Sequence, residues 1–128
     1  MEKGKIVLCD TNILFDYFQK DERISKELDS LGFARLGLSS VSIAEAYFGM
    51  KKSEIRDTKE LVRKFNVFHL DKQISQKFLA LLFEFRDLTA IPDALIASTA
   101  LVNNLELYTL NVRDFDFIKG IKFYKPKF

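Results

Sequence analysis

Acidic and amide side chains stand at the ends of predicted helices and strands, amid apolar sequence, at four places in the chain. They are Asp10, Glu45, Asp93, and the pair Asn111 and Asp114. Taken singly, each has an ordinary structural interpretation, because an Asp can cap a helix and a Glu can face solvent. A carboxylate among apolar residues is costly unless it is paired. The four places together therefore favour a shared site.

Carboxylates gathered in one site favour a hard divalent cation. Like charges at close range raise one another's pKa values unless a cation neutralises them. The only Cys and His are Cys9 and His69, and nothing else supports a Cys–His nucleophile pair. An oxygen ligand set favours Mg²⁺ or Mn²⁺ over Zn²⁺. Such a site orients a water and a phosphate oxygen for in-line attack on a phosphodiester.

The elements that must position these groups alternate along the chain. Short apolar runs predict strands at 6–9, 36–39, 67–70, 105–110 and, at a sheet edge, 121–124. Apolar residues at helical spacing predict helices between them, one of which is capped by Ser40 or Ser42 with Glu45 near its start. Gly32 ends the second helix, and Pro92 followed by Asp93 is typical of a helix start.

This alternation predicts an α/β fold with a parallel sheet and right-handed crossovers. Loops after successive parallel strands open on one edge of the sheet, where α/β proteins usually place their sites. The Asp10 turn, the start of the Glu45 helix and the Asn111 turn then lie together. Asp93 begins the helix before the fourth strand, so the pattern alone does not place it at that edge.

Length and composition predict one globular domain over residues 1–128. The net charge of +2 does not by itself indicate nucleic-acid binding. Basic groups such as Lys51–Lys52 are interpreted as solvated surface, with phosphate binding as the alternative. Thirteen Phe residues indicate a partner or dimer surface. We find no signal-peptide pattern and no apolar run of membrane-spanning length, so a cytoplasmic protein is expected.

Four segments resemble, in order, the motifs of PIN-domain nucleases, specifically the VapC-type toxins of prokaryotic toxin–antitoxin pairs. The first is Asp10–Leu14 with Asp16–Tyr17, and the second is Ser39–Gly49, in which a Gly follows Glu45 by four residues. The third and fourth are Pro92–Ala97 and Tyr108–Phe115. The resemblance spans nearly the whole chain.

The resemblance implies a three-layer sandwich, with a central parallel sheet of four to five short strands flanked by helices. It also implies a Mg²⁺- or Mn²⁺-dependent endoribonuclease. Asp10 and Asp93 would bind the metal directly, and Glu45 would complete the acidic pocket through the metal or by positioning its water. Asn12 and Thr109 would be supporting hydrogen-bond groups.

The resemblance is weaker at the fourth acidic position. Many relatives have an acid where this chain has Asn111, which follows Asp93 by 18 residues. Others have an amide there and a carboxylate three residues later, as Asp114 is here. Asn111 can ligate through its carbonyl but brings no charge. Which of the two fills this position, and whether one or two metals bind, stays open.

The implied partners are an RNA substrate, a cognate antitoxin and a second copy of the chain in a homodimer. In the family an antitoxin segment fills a groove near the site. Four aromatic residues in the first and third helices are interpreted mainly as core, and as a hypothesis they line such a surface: Phe15, Phe18, Tyr47 and Phe48.

Two other functions share some features with this sequence. A haloacid-dehalogenase-like phosphatase needs a second Asp two residues after the first, where this chain has Asn12, and a Lys before the late acid, which is missing near Asp93. The sequence therefore disfavours it. A non-catalytic PIN-like module that binds RNA or protein is favoured only by Asn111.

Overall fold

A parallel sheet of five short strands forms the centre of the computed structural model, which describes residues 5–128. The strands are β1 (Val7–Cys9), β2 (Leu36–Ser39), β3 (Asn66–Phe68), β4 (Glu106–Tyr108) and β5 (Lys122–Phe123). Their order is β3-β2-β1-β4-β5, and all four pairings are parallel. The predicted parallel sheet, with its last strand at an edge, is confirmed.

Within residues 5–128, six α-helices cover the two faces of the sheet. They are α1 (Thr11–Phe18), α2 (Glu22–Leu31), α3 (Ser40–Gly49), α4 (Ile55–Val62), α5 (Lys72–Phe85) and α6 (Ile91–Val102). Successive side chains of a strand point to opposite faces. Accordingly, Val7 and Cys9 pack with the helices α1 to α4, whereas Leu8 packs with α5 and α6. This confirms the three-layer sandwich.

The central strand β1 ends where the candidate site begins. Cys9 pairs with Tyr108 of β4, and the Asp10 N–H donates to the Tyr108 carbonyl oxygen at 2.9 Å. The ladder therefore continues one residue past β1, which sets Asp10 beside Thr109. Strand pairing brings together side chains that are 99 residues apart in the chain.

The predicted start of α3 was wrong. Ser39, the last residue of β2, is the cap, and its Oγ accepts a hydrogen bond from the Val41 N–H at 3.1 Å. Neither Ser40 nor Ser42 caps the helix, because it begins directly at the end of the strand without a loop. Glu45 consequently lies in the middle of α3 and not near its start.

Two other helix boundaries follow the predicted signals. Gly32 ends α2 with φ 83°, the left-handed conformation that glycine adopts without steric cost. Pro92 lies in the first turn of α6, where its missing N–H has no helical partner to lose. Within residues 5–128, no helix has the length and apolar character needed to cross a membrane.

Candidate functional site

One cavity of about 550 Å³ collects the acidic and amide residues predicted from the sequence. Its lining comes from the segments that follow β1, β2 and β4 and from the start of α6. Six of the seven predicted residues line it: Asp10, Asn12, Glu45, Asp93, Asn111 and Asp114. The seventh, Thr109, does not line the cavity but donates a hydrogen bond to Asp10. The structure therefore brings together all the residues singled out in the sequence.

Asp10 is buried, and both of its carboxylate oxygens are held in place. Oδ1 accepts from the Thr11 N–H at 2.8 Å, and Oδ2 accepts from the Thr109 hydroxyl at 2.9 Å. Burial raises the pKa of Asp10, while these hydrogen bonds lower it and the charges of Glu45 and Asp114 raise it. Asp10 thus caps α1 and also presents a fixed carboxylate to the cavity.

Glu45 is oriented by a residue of another helix. The Thr11 hydroxyl oxygen lies 2.7 Å from Glu45 Oε1 and 2.9 Å from Ser42 Oγ. A hydroxyl has one proton, and an ionised carboxylate can only accept. The Thr11 proton therefore goes to Glu45, and the Ser42 hydroxyl donates to Thr11. This chain of three groups joins α1 to α3 at the wall of the cavity.

Asp93 lines the same cavity from the first turn of α6. Because α6 leads into β4, its first turn lies at the carboxyl edge of the sheet. The N-cap of α6 is Ala90, and no side chain bonds to the cap, so Asp93 is not a capping residue. Partial burial, followed by the charges of Asp10, Asp114 and Glu45, raises the pKa of Asp93 to about 6.

Asn111 and Asp114, the two candidates for the fourth acidic position, lie in the same turn after β4. Asn111 and Asp114 are exposed, and both line the cavity. The Asn111 N–H donates to Thr109 Oγ1 at 3.0 Å, so Thr109 connects this turn to Asp10. Asp114 supplies the charge that Asn111 lacks, since it raises the pKa of both Asp10 and Asp93.

Comparison with known proteins shows the family to which the chain belongs. Residues 7–120 match the family model of the PIN domain. The chain belongs to the PIN domain family. Ribonuclease VapC1 of Methanocaldococcus jannaschii is 28% identical over 129 residues, which cover 96% of this chain and 89% of that relative. The predicted family resemblance is confirmed.

Solved structures of toxin–antitoxin and VapBC complexes contain chains that share the fold of this protein. A chain of a toxin–antitoxin complex from Klebsiella pneumoniae is 30% identical with a TM-score of 0.79, covering 94% of this chain and 97% of that one. A chain of the DNA-bound VapBC complex from Salmonella typhimurium has a TM-score of 0.83 at 22% identity, covering 94% and 98%. The second likeness concerns the fold alone.

The donor atoms of this PIN domain suit a hydrated cation. In the part of the chain that the structure describes, no three His, Cys, Asp or Glu side chains form a ready-made metal cage. The carboxylates instead line the cavity from separate elements and offer only oxygen. Mg²⁺ keeps several of its waters and is usually bound through one or two carboxylates. The residues present therefore fit Mg²⁺ or Mn²⁺.

Sequence reasoning missed the exposure of Phe48 in this PIN domain. Phe15, Phe18 and Tyr47 are partly buried, but Phe48 is 96% exposed and lines the cavity. Its interpretation as core was therefore wrong. Phe48 follows Glu45 by three residues, so the two share a face of α3, and that spacing was the available signal.

The lone cysteine takes no part in this site. Cys9 is fully buried in β1, whereas His69 is exposed after β3. Burial raises the pKa of the Cys9 thiol far above its usual value. Cys9 therefore packs in the core as a small buried residue.

Proposed function

We propose that this PIN domain is a Mg²⁺- or Mn²⁺-dependent endoribonuclease and the toxin of a toxin–antitoxin pair. The observation that carries the proposal is the cavity lined by Asp10, Glu45, Asp93 and Asp114, in which burial and the charges of the other three acids raise the pKa of Asp93. Four acids kept together at the edge of a sheet repel one another and weaken the fold. Such a cluster is therefore typical of a functional site. The relative named ribonuclease VapC1 supports RNA as the substrate.

Asp10 and Asp93 are the proposed direct ligands. Asp10 is preorganised by two hydrogen bonds, from Thr11 and Thr109. Because its pKa is about 6, Asp93 loses its proton below neutral pH, and a cation competes with that proton for the carboxylate. A bound Mg²⁺ or Mn²⁺ supplies Lewis-acid chemistry, since it neutralises phosphate charge and acidifies water.

The remaining residues of the cavity orient the reactants. Glu45 has one oxygen fixed by Thr11, which leaves the other to accept a hydrogen bond from a water. In hydrolysis that water forms a bond to phosphorus, the bond to the leaving ribose oxygen breaks, and Glu45 is placed to take the proton. Asp114 adds a fourth negative charge, and the amides of Asn12 and Asn111 offer hydrogen bonds at the rim.

Cleavage assays test the proposal directly. We expect wild-type protein to cut RNA with Mg²⁺ or Mn²⁺ and not in EDTA, and expect Asp10→Asn and Asp93→Asn to lose the activity. Asp87→Asn is the matched control, because Asp87 is exposed after α5 and does not line the cavity. Equal cleavage by wild type and both cavity variants would contradict the proposal. Circular dichroism verifies that the variants fold.

The proposed partners are an antitoxin and a second copy of this chain. The structural relative from Klebsiella pneumoniae was solved in a toxin–antitoxin complex, which supports the antitoxin. Size-exclusion chromatography with light scattering tests the homodimer, and a monomer at tens of micromolar removes that claim. We place the activity in the cytoplasm, and fractionation of cells that express a tagged chain tests this.

A non-catalytic module that binds RNA or protein is the second candidate. The neutral Asn111 at a position that is often acidic favours it. Calorimetric titration of Mn²⁺ into the metal-free protein separates the two, because a degraded site would bind no metal. Asp114 in the same cavity favours the enzyme.

A further inference from the structure

Phe48 is an exposed aromatic side chain at the mouth of an acidic cavity. Its ring is 96% exposed, although it lies in the regular helix α3 one turn after Glu45. Several other large apolar side chains within residues 5–128 are also exposed, but none of them lines this cavity. An aromatic ring kept in water contributes little to the folded core, and at the wall of a cavity its flat face is open to a bound molecule.

A second ring forms the adjoining wall of the cavity. Phe15 lines it from α1 and packs against the core. A Cβ at residue 49 would lie 3.2 Å from the Phe15 ring, so Gly49 allows this ring to approach α3 closely. The cavity therefore combines acidic groups with two aromatic groups, of which Phe15 is packed and Phe48 is open to solvent.

The acidic groups cannot by themselves hold RNA. Carboxylates repel phosphates, and a cation at the site offsets this only locally. The affinity for RNA must therefore come from neighbouring groups that do not repel its phosphates. An aromatic ring is such a group, because unpaired bases stack on it whatever their sequence. The exposed Lys51 and Lys52 follow Phe48 closely in the chain and can add phosphate contacts.

We propose that Phe48 stacks against an unpaired nucleobase of the RNA that occupies this cavity, and so selects single-stranded RNA. The inference rests on the proposed ribonuclease function, since it names how that substrate is held. In a duplex the bases are already stacked on one another and closed to the ring. Stacking recognises a flat face and not a base edge, so Phe48 contributes affinity with little sequence preference.

Binding of a short fluorescein-labelled single-stranded RNA, followed by anisotropy in EDTA, tests the proposal without cleavage. We expect Phe48→Ala to raise Kd about tenfold, the low-to-middle part of the range for loss of one stacked base. Phe48→Leu keeps an apolar group but removes the ring, and it should weaken binding similarly. Phe48→Trp should retain binding. Phe83→Ala is the matched control, because Phe83 is 90% exposed on α5 away from the cavity.

A substrate series gives a second readout. Replacing one nucleotide at a time by an abasic site should weaken the binding of wild-type protein at one position of the RNA. The same replacement should change the affinity of Phe48→Ala little, because the abasic site and the substitution remove the same contact. In cleavage assays with Mn²⁺ the variant should raise KM and leave kcat within about twofold, since the contact is uniform binding. Duplex RNA should bind wild type and variant alike.

The outcomes separate this inference from the proposed function. Equal affinity of wild type, Phe48→Ala and Phe48→Leu for single-stranded RNA overturns the inference even when cleavage is normal, and a protein partner then becomes the occupant of this ring. Binding that depends on Phe48 without metal-dependent cleavage upholds the inference and contradicts the nuclease. An equal loss of affinity in Phe83→Ala overturns it as well.

Discussion

Asp93→Asn should stabilise the metal-free protein at neutral pH while it abolishes cleavage. Asp93 is ionised at pH 7 to 8 beside the charges of Asp10, Asp114 and Glu45, and these groups together with burial raise its pKa from 3.8 to about 6. An amide of nearly the same shape removes the charge and keeps the packing. The concentration of negative charge in the cavity therefore lowers the free energy of unfolding of the metal-free protein.

The sign and size of the effect follow from the shift in pKa. Because the folded-state pKa of Asp93 lies above the unfolded value, the folded protein holds this proton more tightly, and stability falls as pH rises from about 4 to about 6. The whole shift would correspond to about 3 kcal/mol. Asp93 is only partly buried, so solvent screening reduces this to about 1 kcal/mol. That is about 3 °C in Tm for a domain of this size.

Thermal unfolding in EDTA from pH 4 to pH 8 measures the effect. The Tm of Asp93→Asn minus that of wild type should increase across this range by about 3 °C. Asp87→Asn, an exposed carboxylate outside the cavity, should show no such trend. A difference that stays constant with pH would refute the reasoning, since it would mean that Asp93 has an ordinary pKa. Carboxyl NMR of Asp93 gives an independent value.

Three further predictions concern residues around the cavity and the core. Thr109→Val removes the hydroxyl that binds Asp10 Oδ2, and it should cost about 1–2 kcal/mol in urea unfolding and lower cleavage; unchanged values of both would contradict this. The Cys9 thiol should react with a disulfide reagent only after denaturation, so rapid native labelling would disprove its burial. Glu27→Ala should lower stability by about 2 kcal/mol, since it strips a buried acceptor from the Tyr124 hydroxyl. An unaltered urea midpoint would count against this contact.

The sequence predicted the sheet and the Asp10 turn because their signals are local. A short apolar run such as Ile6–Cys9, ended abruptly by polar residues, is typical of a buried strand, and an Asp directly after it can cap the next helix. Alternation of strands and helices then dictates parallel pairing. Hence the sequence alone predicts that three of the acidic groups lie at one edge of the sheet.

Long-range contacts decided the rest. The cap of α3 at Ser39 depends on how directly the helix follows β2, and the sequence does not show which of the Ser residues at 39, 40 and 42 is the cap, because all three are suitable. The placement of Asp93 depends on the direction in which α6 returns across the sheet.

The amino-acid sequence by itself determined which groups could do chemistry, since residue types and their position at the ends of elements are local properties. Only the tertiary structure decided how they act on one another. The Thr11 contact with Glu45 spans 34 residues and the Thr109 contact with Asp10 spans 99. The raised pKa of Asp93 likewise depends on burial and on charged neighbours from distant elements, which no local pattern encodes.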